Sequence, residues 1–123
     1  MKNKGIIMKK AKAFALRVVR LYKFLAEERK EFVMSKQVLR SGTSIGANLT
    51  ESTYAQSKAD FVSKSSIALK EAAETEYWLE LLHESEYIDD NAFKSISNDC
   101  SELIKLLTSR IITTKSKNLS PTP

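Results

Sequence analysis

Residues 57–83 read SKADFVSKSSIALKEAAETEYWLELLH. Within this stretch Phe61, Ser65, Ala68, Ala72, Thr75, Leu79 and Leu82 recur in steps of four and three, the spacing that lines one face of an α-helix. Ser57 and Asp60 stand three apart just before it and resemble a capping box, with Asp in place of the usual Glu or Gln. The stripe is long enough for a full helix and is the clearest in the chain.

The same period extends outward on both sides. Upstream, Val38, Gly42, Ile45, Leu49 and Ser52 form a heptad weakened by small residues, predicting a helix from about Lys36 to Ala55 with Ser35 as N-cap. Gly42 and Gly46 each cost about 1 kcal/mol of helix propensity but admit close approach of another backbone. Further upstream, Ala11, Phe14, Ala15, Val18, Leu21, Tyr22 and Leu25 share one face of a helix from about Lys10 to Glu28. Downstream, Asp89 or Asp90 suits a helix N-terminus, and Phe93, Ile96, Cys100, Leu103, Leu107 and Ile111 follow on one stripe. The two prolines, Pro121 and Pro123, break none of these helices. The expectation is an all-α, antiparallel up-down four-helix bundle over residues 10–114, with a flexible basic N-terminus at 1–9 and a disordered tail at 115–123.

Composition narrows the function classes. The chain has 123 residues, a single Cys and a single His, so it holds one domain without an internal disulfide and no single-chain site with two imidazoles. No apolar run reaches the ~20 residues of a membrane span, and Ile6–Met8 is too short for a signal peptide, which together predict a cytoplasmic protein without a membrane partner. Glu80 and His83 have the Glu-x-x-His spacing of di-iron bundles, but that chemistry needs a second such pair and further carboxylates. Cys100 reads as a small buried hydrophobe. There is no phosphate-binding glycine loop and no nucleophile elbow. The sequence predicts no enzyme, no catalytic residue, no metal and no cofactor.

Charge is distributed unevenly. Residues 1–60 carry 13 Lys+Arg against 5 Asp+Glu, residues 61–102 carry 3 against 10, and residues 103–123 carry 4 against none. Lys9, Lys10, Lys12, Arg17, Arg20 and Lys23 surround the first helix and are candidate phosphate contacts for RNA or DNA, aided by Lys115 and Lys117. No aromatic platform accompanies them, which predicts little sequence specificity and steep salt dependence. Some of this positive charge should instead meet the acidic third and fourth helices, within or between subunits.

Two further patterns exceed what a bundle core needs. Leu16 and Phe24 on the first helix, with Ile67, Trp78 and Leu81 on the third, fall away from the main apolar stripes and are candidate contacts of a homo-oligomer. Arg40, Ser41, Ser44, Asn48 and Glu51 form a polar stripe along the second helix, although Ser and Asn are poor helix-interior residues. This pattern predicts either a ligand groove or a buried hydrogen-bond network that fixes helix register, with Arg17, Glu71, Glu74 or Thr75 as partners.

Those residues carry a resemblance. Arg40, Ser41, Ser44, Ile45, Asn48 and Glu51, followed by Glu71, Glu74, Thr75, Tyr77 and Trp78, look like the motifs of the four-helix bundle proteins encoded in intervening sequences of bacterial 23S ribosomal RNA genes. The resemblance spans Phe14 to Leu82, while Ser52 stands where the family often has Gly or Ala. That family is similar to the accessory proteins of diversity-generating retroelements, barrel-like homopentamers that engage a reverse transcriptase and nucleic acid. The resemblance therefore implies a ring-like homopentamer with its basic surface open to RNA or DNA. An alternative is a structural adaptor for a protein partner, such as a reverse transcriptase or a ribosome-associated protein. It supplies no catalytic residue.

Overall fold

The computed structural model describes residues 2–119, with side chains over 5–117. It contains α1 (Lys2–Glu27), α2 (Met34–Ser52), α3 (Lys58–Glu84) and α4 (Asp90–Leu119). Each consecutive pair packs together and α1 closes against α4, which gives the up-down four-helix bundle expected from short connections. The α1–α4 contact is the sparsest of the four.

The core is the set of stripes read from the sequence. Val18, Leu25, Val38, Ile45, Leu49, Leu79, Leu82, Leu103 and Leu107 are all buried, and so are the small residues Ala11, Ala68, Ala72 and Cys100 between them. Gly42 makes one close approach possible. A Cβ built there would lie 2.8 Å from both γ-carbons of Val18 on α1, closer than real contacts allow. A Cβ at Gly46 would meet Ala11 at an ordinary 3.7 Å, so only the first glycine is demanded by packing.

Helix ends partly follow expectation. Ser57 Oγ accepts from the Asp60 N–H at 3.1 Å, while the Asp60 carboxylate accepts from the Gln56 N–H at 3.2 Å, a capping box displaced by one residue. Asp89 Oδ1 accepts from the Ala92 N–H at 2.8 Å at the start of α4. Helix α2 departs from expectation. Its cap is not Ser35, which is buried inside the first turn, but the Glu31 carboxylate, which accepts from the N–H groups of Val33, Met34 and Ser35. One carboxylate thus satisfies three of the four free donors of that turn. Helices α1 and α3 are followed by non-glycine residues in the left-handed region, Lys30 (φ 56°) and Glu86 (φ 66°).

The bundle is longer than predicted at both ends. Residues 2–9 are helical and continue α1, where Ile7 adds one more turn to the stripe of Ala11, Phe14 and Val18 and is buried. Likewise residues 115–119 extend α4, since no proline intervenes before Pro121. The remainder of the predicted tail, 120–123, lies outside the described residues. No described helix is long and apolar enough to cross a membrane.

Candidate nucleic-acid interface and the polar seam of α2 and α3

The basic residues of α1 whose side chains are described divide into two groups. Lys10 and Arg17 turn toward α4, where Lys10 Nζ lies 3.1 Å from Glu102 Oε2 and Arg17 Nη1 lies 2.8 Å from Asp99 Oδ2. Arg17 Nη2 also donates to Ser95 Oγ at 3.0 Å. These two cations are compensated within the bundle, and Arg17 takes no part in the α2 network expected of it. Lys9, Lys12, Arg20 and Lys23 are exposed, and none has a described carboxylate within 4.0 Å. Together with Leu16 they step by three, four, four and three residues along the side of α1 opposite its core stripe. This row spans about 21 Å of rigid helix. Lys115 and Lys117 are exposed on the last turns of α4.

The polar stripe of α2 becomes a seam with α3. Arg40 reaches both Glu71 and Glu74, and the indole Nε1–H of Trp78 donates to Glu74 Oε2 at 2.9 Å. Trp78 and Arg40, in that order of weight, hold the Glu74 carboxyl below its usual range, and Glu74 with Glu71 raises the Arg40 guanidinium. Beneath them, Thr75 Oγ1 lies 2.7 Å from the Glu71 carbonyl and 2.8 Å from Ser41 Oγ, both hydroxyls being buried. One hydroxyl has one proton, so Thr75 donates to the carbonyl and Ser41 donates to Thr75. Ser44 Oγ and Asn48 Nδ2 donate back to carbonyls of their own helix, at Arg40 and Ser44, while Glu51 pairs with Lys64 at 3.0 Å. Arg40, Ser41 and Glu51 of the stripe thus link α2 to α3, while Ser44 and Asn48 bond within α2.

The other candidates sort clearly. Leu16 (51% exposed), Phe24 and Ile67 lie open, whereas Trp78 and Leu81 are half-buried, Trp78 against the core. The sequence reading missed Tyr54, Val33, Phe32 and Ile112, which are exposed at the two ends of the bundle, and named Tyr77 only within the family motif, although it is exposed beside Trp78 on α3. These residues had no periodic signal because they lie in connections or on otherwise polar faces. Glu80 is exposed and His83 stacks on Phe93 with ring centroids 4.2 Å apart, its Nε2 2.7 Å from Asp90 Oδ1. Among the described residues no group of three His, Cys, Asp or Glu side chains could hold a metal. Burial, with a smaller effect of Glu76, pushes the Cys100 thiol up to about 12, which leaves it without nucleophilic thiolate at neutral pH. A cleft of about 790 Å³ between α1 and the α3–α4 connection is lined by Arg17, Arg20 and Arg29 but equally by Glu86, Asp89 and Asp90, so it favours neither sign of charge.

Comparison with known proteins agrees with this architecture. No curated protein matches the chain. A solved structure of a protein of unknown function from the S23 ribosomal protein family of Bacteroides thetaiotaomicron VPI-5482 is 60% identical, with a TM-score of 0.88, covering 89% of this chain and 97% of that one. Neither it nor the matching family model is described by a reaction. That model, 23S rRNA-intervening sequence protein, matches residues 3–109, and the chain belongs to this family.

Proposed function

We propose that the protein is a non-enzymatic helical bundle that binds RNA or DNA with little sequence specificity through the outer face of α1. The observation that carries this reading is the row Lys9, Lys12, Arg20 and Lys23, exposed and without acidic partners while Lys10 and Arg17 of the same helix are compensated by α4. Intramolecular pairing has thus removed the cations that face the bundle and left those that face outward. Phosphate neutralisation by such a row releases counterions, and binding then weakens steeply with salt.

The exposed apolar side chains support a ring-like homo-oligomer, with a pentamer as the form the family resemblance favours. Phe24, Ile67 and Tyr77 leave apolar surface open on α1 and α3. Leu16 is set apart from them, since four uncompensated cations surround it and a second copy of the same face would meet like charge. A ring would repeat the α1 row and multiply its field.

The test is retention of labelled RNA and DNA at 50 mM salt by the full chain and by a K9Q/K12Q/R20Q/K23Q variant. Binding by the first and its loss in the second support the reading, and retention no better than a neutral control protein removes it. The adaptor alternative is separated by pull-down with nuclease treatment: a protein partner kept after digestion favours an adaptor, one lost with the nucleic acid favours the proposal.

A further inference from the structure

Among the described side chains, the four free cations of α1 fall into two pairs. Lys9 and Lys12 form one, Arg20 and Lys23 the other, and the centres of the pairs are eleven residues apart. On a continuous helix that separation is about 16 Å. Helix α1 runs unbroken from Lys2 to Glu27, so the two pairs are held at this spacing by a rigid rod. Between them the outward position belongs to Leu16, an apolar side chain with no charge to offer a phosphate.

We propose that α1 lies across one groove of a duplex nucleic acid, each cation pair seated on one of the two phosphate rows that flank the groove and Leu16 over the opening between them. This inference rests on the reading of α1 as the nucleic-acid surface. A groove about 12 Å wide, bordered by phosphates on either side, matches two charge clusters about 16 Å apart that extend flexible side chains outward. A single strand presents one phosphate row and is held by stacking its bases on aromatic side chains. The row on α1 contains no aromatic residue, and Phe24, the exposed aromatic of this helix, lies off the row, where it lines the cleft with Arg20 and Leu21. Two phosphate rows at this separation border the major groove of B-DNA and the wide, shallow minor groove of A-form RNA, so the shared chemistry is a pair of phosphate rows.

The experiment is fluorescence anisotropy at several salt concentrations, with 20-base-pair DNA, 20-base-pair RNA and their single strands as probes. The proteins are the full chain, K9Q/K12Q, R20Q/K23Q and the control K10Q. The expected result is at least tenfold tighter binding of one or both duplexes than of the strands. Each double variant loses most of that affinity and lowers the log–log salt slope by about 2, because each pair neutralises about two phosphates. K10Q lowers affinity by less than either double variant, since Lys10 is already engaged by Glu102. Which duplex binds tighter identifies the groove. Single strands that bind as tightly as duplexes, with affinity still lost in the variants, overturn the duplex inference while leaving nucleic-acid binding intact. A double variant that binds like the full chain also overturns it, because a single cluster then suffices. If no probe is retained above a neutral control, this inference and the reading beneath it fall together.

Discussion

Helix α2 and the α1–α4 seam lie at opposite corners of the bundle and are held by different physics. On α2, Gly42 lets Val18 of α1 approach until no Cβ fits between them, and on its other side the Ser41 and Thr75 hydroxyls join it to α3. At the far corner α4 meets α1 sparsely, and what bridges the gap at the surface are two ion pairs, Lys10–Glu102 and Arg17–Asp99. Small residues and satisfied hydroxyls specify a close contact, while long charged side chains span a looser one. The same division explains why α1 has cations to spare: those on its α4 side bridge the looser seam, and Lys9, Lys12, Arg20 and Lys23 on its outer side have no described carboxylate within ion-pair distance.

The close corner should break most easily by overpacking. Gly42→Val is expected to cost about 3 kcal/mol, because the added γ-carbons must displace Val18 in a filled core. Gly46→Ala, one turn along the same helix, should instead be neutral or stabilise by up to about 1 kcal/mol, since its Cβ meets Ala11 at an ordinary distance and helix propensity rises. Urea denaturation of the two variants measures both signs, and a destabilised Gly46→Ala would show that α2 is packed tightly along its whole length.

Next in size is the buried hydroxyl pair. Thr75→Val removes the acceptor of the Ser41 hydroxyl and strands it in the core, at an expected cost of about 1–3 kcal/mol. The double variant S41A/T75V leaves no unsatisfied group and should recover much of that loss, a coupling visible in a double-mutant cycle. Equal and additive losses would mean that the two hydroxyls do not work as a pair.

How much of this was legible in the sequence follows the same contrast. The stripes that contact neighbours through apolar and small residues were readable, since Val38, Gly42, Ile45 and Leu49 on α2 and Ala68, Ala72, Thr75 and Leu79 on α3 announce themselves by period. So did the seam's polar partners, because Glu71, Glu74 and Thr75 repeat along the same helix as their targets require. What period cannot show is which cations are taken. Lys10 and Arg17 look like Lys12 and Arg20 in a list of residues, and their partners Glu102 and Asp99 lie far along the chain, reached only through the register of α4 on α1. The Glu31 cap was hidden for a local reason: its carboxylate precedes α2 in a turn, where neither a Ser/Thr cap nor a capping box marks it. Ile7 was in plain view as the next step of the α1 stripe, but it stands in a short apolar run, Ile6–Met8, between lysines at the start of that stripe.

The charged corner should respond more weakly. Arg17→Met is expected to change stability by less than about 1 kcal/mol, because the Arg17–Asp99 pair is partly exposed and screened by water and salt. The measurement is denaturation at low and high salt: the full chain should lose a little stability as salt rises, and the variant should lose less. A loss comparable to that of Thr75→Val would show that the ion pair, not the α2 network, sets the geometry of the bundle.

The smallest effect expected is the pH response of the seam itself. The Glu74 carboxyl is held below its ordinary range by the Trp78 indole N–H and then by Arg40, so the folded state binds its proton more weakly than the unfolded chain does. Its contribution is therefore present above the unfolded carboxyl range and is lost as pH falls through the lower folded value. Because the site lies at the surface, the gain is modest and belongs to the rim of the α2–α3 contact rather than to the buried hydroxyls beneath. Between neutral pH and about pH 3 the full chain should lose more stability than Glu74→Gln, which cannot titrate there. The Trp78 fluorescence should shift over the same range, since its N–H partner becomes protonated. Equal acid sensitivity in the two proteins would place the acid response of the bundle elsewhere, with the Asp90 carboxyl at the α3–α4 turn as another candidate, since its contact with His83 holds it below its ordinary range as well.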